Sequence, residues 1–128
     1  MKIKNLTIEL MVDDISKSVR FYKDVLGFIP VVQVPEDNPF FVIIKNNSAQ
    51  IMLYQREKFA EEIPKFERLK VGGSIVIYLE VEGIKKILQE IKGHVKIIQQ
   101  MRETDYGTSE FSFEDLNGYV WMLSQRTN

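Results

Sequence analysis

From Asn5 to Val12 the chain alternates, with Leu6, Ile8, Leu10 and Val12 apolar and Thr7, Glu9 and Met11 set between them. A period of two predicts a strand with one face on a core. Asp13 and Asp14 follow, and their carboxylates suit the free N–H groups at a helix start. Ile15, Val19, Tyr22, Val25 and Leu26 then fall on one helical face, and Gly27 supplies the left-handed stop. Three more strands are predicted, over Phe28–Val34, Phe40–Lys45 and Ala49–Gln55, separated by turns at Pro35–Pro39 and Asn46–Ser48.

Residues 56–73 break this rhythm, being charged, carrying Pro64 and ending in Gly72-Gly73. They read as a linker with a short helical piece, whose Phe59, Ile63 and Phe66 would share one apolar face. The opening pattern then returns. Ile75, Ile77, Leu79 and Val81 alternate, Ile84, Ile87, Leu88 and Ile91 mark a helix stopped by Gly93, and strands are predicted over Val95–Met101, Thr108–Glu114 and Tyr119–Gln125. A turn at Asp115–Gly118 joins the last two, and the polar stretch Thr104–Phe111 is expected to be a hairpin connection or the rim of a cleft.

Both halves thus run strand, helix, strand, strand, strand. Val12 matches Val81 and Ile15 matches Ile84 at an offset of 69, while Ile51 and Leu53 match Trp121 and Leu123 at an offset of 70. Such repetition dictates the fold, because one unit of this size buries too little surface by itself. The expectation is an α+β domain over 1–128 built from two tandem βαβββ modules, about 1–55 and 74–128, with a linker at 56–73. The strands would form a curved mixed sheet around a cleft, with the helices on its outer face.

Composition narrows the chemistry. The formal net charge of −1 lacks the basic footprint of a nucleic-acid binder. Zero cysteines leave out disulfides, thiolate metal sites and thiol nucleophiles, and one histidine, His94, leaves out a multi-histidine metal cluster. His94 follows Gly93 at a helix end and reads as a surface residue. Apolar runs are too short for a span of about 20 residues, and the amino terminus does not read as a signal peptide. A cytoplasmic protein without a membrane or nucleic-acid partner is expected.

If the apolar residues of each strand face the helices, the intervening ones line the cleft. The four repeat-related strands place there Thr7, Glu9 and Met11; Gln50, Met52 and Tyr54; Val76, Tyr78 and Glu80; and Val120, Met122 and Ser124. Adaptable methionines, tyrosine rings and a few polar groups suit a small-molecule site. Candidate ligand contacts are Thr7, Glu9, Met11, Met52, Tyr54, Val76, Tyr78, Glu80 and Met122, with Glu9, Tyr78 and Glu80 as candidate catalytic groups. Each has a plainer reading: solvated glutamates on an open sheet, tyrosines as ordinary strand formers, and methionines in core or dimer packing.

The segment VDDISKSVRFYKDVLGF (Val12–Phe28) resembles the opening signature of the glyoxalase, bleomycin-resistance and extradiol-dioxygenase superfamily, the vicinal oxygen chelate fold. YGTSEFSFEDLNGYVWMLSQ (Tyr106–Gln125) resembles its closing hairpin, with Asp115-Leu116-Asn117-Gly118 where the family usually has D-P-D-G. The resemblance implies paired βαβββ modules around a cleft and a homodimer. In the family's metalloenzymes four strands supply His, Glu or Gln to one divalent metal. Those positions fall here on Thr7, Met52, Val76 and Met122, none a suitable donor for a hard cation. The resemblance therefore points to the metal-free branch, with no cofactor, and to binding of a small, partly aromatic or cationic ligand, as in bleomycin-resistance-like sequestration. The alternative is a lyase, isomerase or dioxygenase that uses Glu9 and Glu80, with or without a displaced metal. A third class, a partner-binding module, rests on the Phe59, Ile63 and Phe66 face alone.

Overall fold

Strand, helix and three strands form twice, as the alternating and helical periods require. The computed structural model describes residues 1–127 and divides into two compact units, Met1–Val71 and the residues from Gly72 on. The first contains β1 (Ile8–Val12), α1 (Ile15–Leu26), β2 (Ile29–Val34), β3 (Phe41–Asn46), β4 (Ala49–Gln55), α2 (Arg56–Glu62) and a 3-10 turn at Pro64–Phe66. The second contains β5 (Val76–Glu80), α3 (Ile84–Ile91), β6 (Lys96–Glu103), β7 (Thr108–Glu114) and β8 (Val120–Arg126).

Each unit has its own four-stranded mixed sheet, ordered β1-β4-β3-β2 in one and β5-β8-β7-β6 in the other. The first and last strands of each unit pair in parallel, and the remaining pairs are antiparallel. The repeat extends to register. Glu9 lies opposite Met52 and Tyr78 opposite Met122, so the offsets of 69 and 70 seen in the sequence are those that superpose the two pairings.

One face of each sheet is buried beneath its helix. In the first unit Leu10, Val12, Val42, Ile44, Ile51 and Leu53 are buried together with Ile15, Ser18 and Tyr22 of α1. In the second, Ile77, Phe111, Phe113, Trp121 and Leu123 are buried with Ile84 and Ile91 of α3. Each of the large apolar side chains among them contributes about 1.5–3 kcal/mol by leaving water.

The caps explain where the helices begin and end. Asp14 caps α1, its Oδ1 accepting from Lys17 N at 2.9 Å, and Gly27 closes the helix at φ 70°. A Cβ at Gly27 would also stand 3.2 Å from Asn46 Nδ2, which reaches across from β3 to donate to Leu26 O at 2.8 Å. The start of α3 has Gly83 and no side-chain cap of its own; Gln125 of β8 supplies the acceptor for Ile84 N at 2.8 Å.

Three expectations are corrected. β1 starts at Ile8 rather than Asn5, and Leu6 is 87% exposed, since the neighbouring strand pairs only from Ile51 on. Gly93 does not stop α3, which ends at Ile91 with Lys92 as its cap, still in helical backbone. Residues 56–71 are part of the first unit: α2 packs on β1 and β4, and Arg56 Nη2 donates to Leu69 O at 2.7 Å. Phe59 and Phe66 meet edge to face at 4.8 Å, whereas Ile63 stays 39% exposed, so the expected three-residue face is divided.

The hairpin turn 115–118 is organised by one carboxylate. Asp115 Oδ1 accepts from Asn117 N (2.8 Å) and Tyr119 N (3.0 Å), and its Oδ2 accepts from Trp121 Nε1 (2.8 Å). Gly72 packs against this turn so closely that a Cβ there would lie 2.9 Å from Asn117 O.

Candidate functional site

The strands turn their other face, here called the far face, away from α1 and α3. In the first unit it carries Glu9 and Met11 on β1, Met52 and Tyr54 on β4, and Phe41 and Ile43 on β3, with Glu9 opposite Met52 and Met11 opposite Tyr54. Met11 is buried, Met52 and Tyr54 are half-buried and Glu9 is exposed. Thr7 lies just before β1, where its Oγ1 accepts from Gln50 Nε2 at 3.3 Å.

Tyr54 sits in an aromatic cluster. Its ring is 5.4 Å from Phe41, 6.0 Å from Phe40 and 5.5 Å from Phe59, so α2 packs over the Tyr54 end of this face. Burial, and then hydrogen bonding to Glu62, push the Tyr54 hydroxyl above its usual pKa. Burial, and then the Glu62 charge, push the Glu9 carboxyl up as well.

The far face of the second unit has a different character. Val76, Tyr78 and Glu80 of β5 lie opposite Val120, Met122 and Ser124 of β8. Beyond them, Glu110, Ser112 and Glu114 of β7 occupy the positions that Phe41, Ile43 and Lys45 hold in the first unit, as the pairings Phe41–Tyr54 and Glu110–Ser124 show. A face that is aromatic and aliphatic in one unit is hydroxyl- and carboxyl-rich in the other.

Glu110 is the centre of that face. It is only 1% exposed. Its Oε2 accepts from Tyr78 Oη at 2.5 Å, Thr108 Oγ1 at 3.0 Å and Ser124 Oγ at 3.1 Å; its Oε1 accepts from Tyr106 Oη at 2.8 Å. Arg102 Nη2 stands 3.6 Å from the same Oε1. Burial raises the Glu110 pKa, but the four hydroxyl donors outweigh it and hold the carboxyl below its ordinary value. Both tyrosines shift the other way, chiefly because their protons bond to Glu110.

The polar stretch after β6 is thus a hairpin turn, Thr104 N donating to Thr108 O at 2.8 Å, from which Tyr106 reaches back to the sheet. Sequence reasoning placed Tyr78 and Ser124 on this face but missed Glu110, Arg102, Tyr106 and Thr108. The available signal was the alternation of Glu110, Ser112 and Glu114 with buried Phe111 and Phe113.

The positions the family resemblance assigns to a metal do not fit one. Thr7 offers a hydroxyl already bonded to Gln50, Met52 and Met122 offer thioethers, and Val76 offers no donor. Among the described residues no three His, Cys, Asp or Glu side chains cluster as a metal site. A separate concavity of about 390 Å³ opens on the α1 side of the first sheet, lined by Asp13, Asp14, Val19, Gln33, Asn38 and Val42. Its Asp14 is the helix cap described above. No helix among the described residues is long and apolar enough to cross a membrane.

Comparison with known proteins agrees with this architecture. YraH of Bacillus subtilis (strain 168), described as an uncharacterized protein, is 30% identical over 92 residues, 70% of each chain. The virulence protein STM3117 of Salmonella typhimurium has a similar structure, with TM-score 0.74 and 27% identity over 98% of this chain and 99% of its own. A protein of unknown function from Agrobacterium tumefaciens str. C58 superposes with TM-score 0.81 at 22% identity, over 98% of this chain and 95% of its own, a likeness of fold. The model of the Glyoxalase/Bleomycin resistance protein/Dioxygenase superfamily matches residues 4–123, and the chain belongs to that superfamily, whose fold binds small ligands.

Proposed function

We propose that this protein binds a small, partly aromatic or cationic molecule on its far faces without a metal, in the manner of bleomycin-resistance-like sequestration. The observation that carries the reading is the hydroxyl cluster on Glu110. A sheet face that serves packing alone has no need of a buried carboxylate with four ordered donors, since such a group is costly to desolvate. Metal independence is supported by the donor-poor set Thr7, Met52, Val76 and Met122. On the far face of the first unit Met52 and Tyr54 would contact a ligand, with Thr7, Glu9 and Met11 around them, and on that of the second unit Tyr78 and Met122 would, with Val76 and Glu80 around them. The reading extends to a homodimer, as the family resemblance implies, and to the cytoplasm, as expected from the sequence.

Methyl-labelled methionine NMR in EDTA tests it. A library of aromatic and cationic compounds, glycopeptide antibiotics included, should contain members that shift the Met52 or Met122 methyl signals saturably. A library without effect on either methyl, or binding that appears only after metal is added, would overturn the reading. A metal-free enzyme is the second reading, favoured by the upward push on Glu9, which suits a general base. In the same experiment Glu9→Gln separates them: turnover lost with binding retained assigns catalysis to Glu9.

A further inference from the structure

Glu110 is too deeply buried to meet a ligand itself, so its effect passes through the groups it holds. Tyr78 and Tyr106 are 49% and 61% exposed, and both hydroxyls spend their single proton on the carboxylate. An ionised carboxylate only accepts, and a phenol has one O–H to give. What the two hydroxyls keep for an outside partner is lone pairs. Ser124 Oγ, 2.9 Å from Tyr78 Oη and 3.1 Å from Glu110 Oε2, belongs to the same network. The exposed tyrosine rings add negative π faces that attract a cation.

We propose that Glu110 is a positioning residue that turns Tyr78 and Tyr106 into hydrogen-bond acceptors, so that this face selects a planar aromatic cation bearing N–H donors. The inference rests on the ligand-binding reading above and names the ligand class for the second unit. The raised pKa of both phenols agrees with it, since each proton is held by the carboxylate. Arg102 is the counterweight. It stands within ion-pair distance of Glu110, its side chain is 48% exposed, and its charge opposes that of an incoming cation.

Three near-isosteric probes test this: benzamidine, a cation with donors; benzamide, neutral; and benzoate, an anion with acceptors only. NMR titration followed at the Tyr78 and Tyr106 ring signals should rank benzamidine over benzoate by on the order of tenfold. Glu110→Gln should abolish the ranking. Arg102→Gln, with its fold checked by urea unfolding and the four hydroxyl donors to Glu110 still in place, should strengthen benzamidine binding by about threefold or more. Benzoate binding as tightly as benzamidine, or Arg102→Gln weakening benzamidine, would overturn the inference and leave the ligand-binding reading standing. Silence of all three probes at both tyrosines, together with a library that moves neither methionine methyl, would remove both.

Discussion

A carboxylate 1% exposed and still ionised has to be held in place, and Glu110 is held by four hydroxyls and an arginine. Because its pKa is lower in the folded chain than in the unfolded one, the group stabilises the fold at pH values above the ordinary glutamate pKa. That contribution is lost as pH falls through the lowered value. Glu9, raised instead, works in the opposite sense just above the ordinary value, and weakly, because it is exposed. Urea unfolding from pH 7 to pH 3 should therefore show an acid-side loss of stability that Glu110→Gln flattens. At pH 7 the same variant should cost about 1–3 kcal/mol, the usual penalty for disturbing a buried hydrogen-bonded group. An unchanged acid limb would mean that Glu110 is not the titrating group. This residue was hard to read from sequence for a definite reason. Its neighbours Tyr78 and Ser124 are 32 and 14 residues from it along the chain, and only the β5–β8 and β7–β8 registers together bring them to it.

At the scale of elements, the local signals were largely sufficient. Alternation located every strand to within a few residues, and Asp14 and Gly27 mark both ends of α1 as their chemistry demands. The discrepancies occur where tertiary partners act at a distance. α3 is capped by Gln125, 41 residues away in the chain, which composition around Gly83 does not announce. Residues 56–71 read as a linker because their charges hide the one buried ring, Phe59, that fixes α2 on the sheet. The 115–118 turn departs from the family's usual D-P-D-G yet keeps its form, because Asp115 binds two backbone N–H groups and the Trp121 indole. Asp115→Ala leaves all three donors without that acceptor and should cost about 3 kcal/mol of unfolding free energy. Asp115→Asn keeps an acceptor oxygen and should cost less. Equal losses in urea unfolding would show that the turn needs the charge rather than the acceptor.

Across the whole molecule, a duplicated scaffold carries two unlike surfaces. The repeat conserves what builds each unit, namely strand order, register and the apolar helix-side face. It does not conserve what each unit offers on its far face: Phe41 and Ile43 in one, Glu110 and Ser112 in the other. The shared scaffold was legible because apolar alternation leaves a periodic trace. The far faces were half legible, since the residues were placed on the right side while their partners depended on pairing. The positions that the family resemblance assigns to metal donors carry thioethers, a hydroxyl and an alkyl group here, which leads to the central proposal of metal-independent binding. The most direct test is the melting temperature in EDTA against the values with Ni²⁺, Zn²⁺, Mn²⁺ and Fe²⁺ in turn. A metal bound at ~1,000 times its Kd stabilises by roughly 4 kcal/mol, which for a chain of this length raises Tm by on the order of 10 °C. The account predicts the same Tm in every condition. An EDTA-reversible rise of that size with any of the four metals would contradict it.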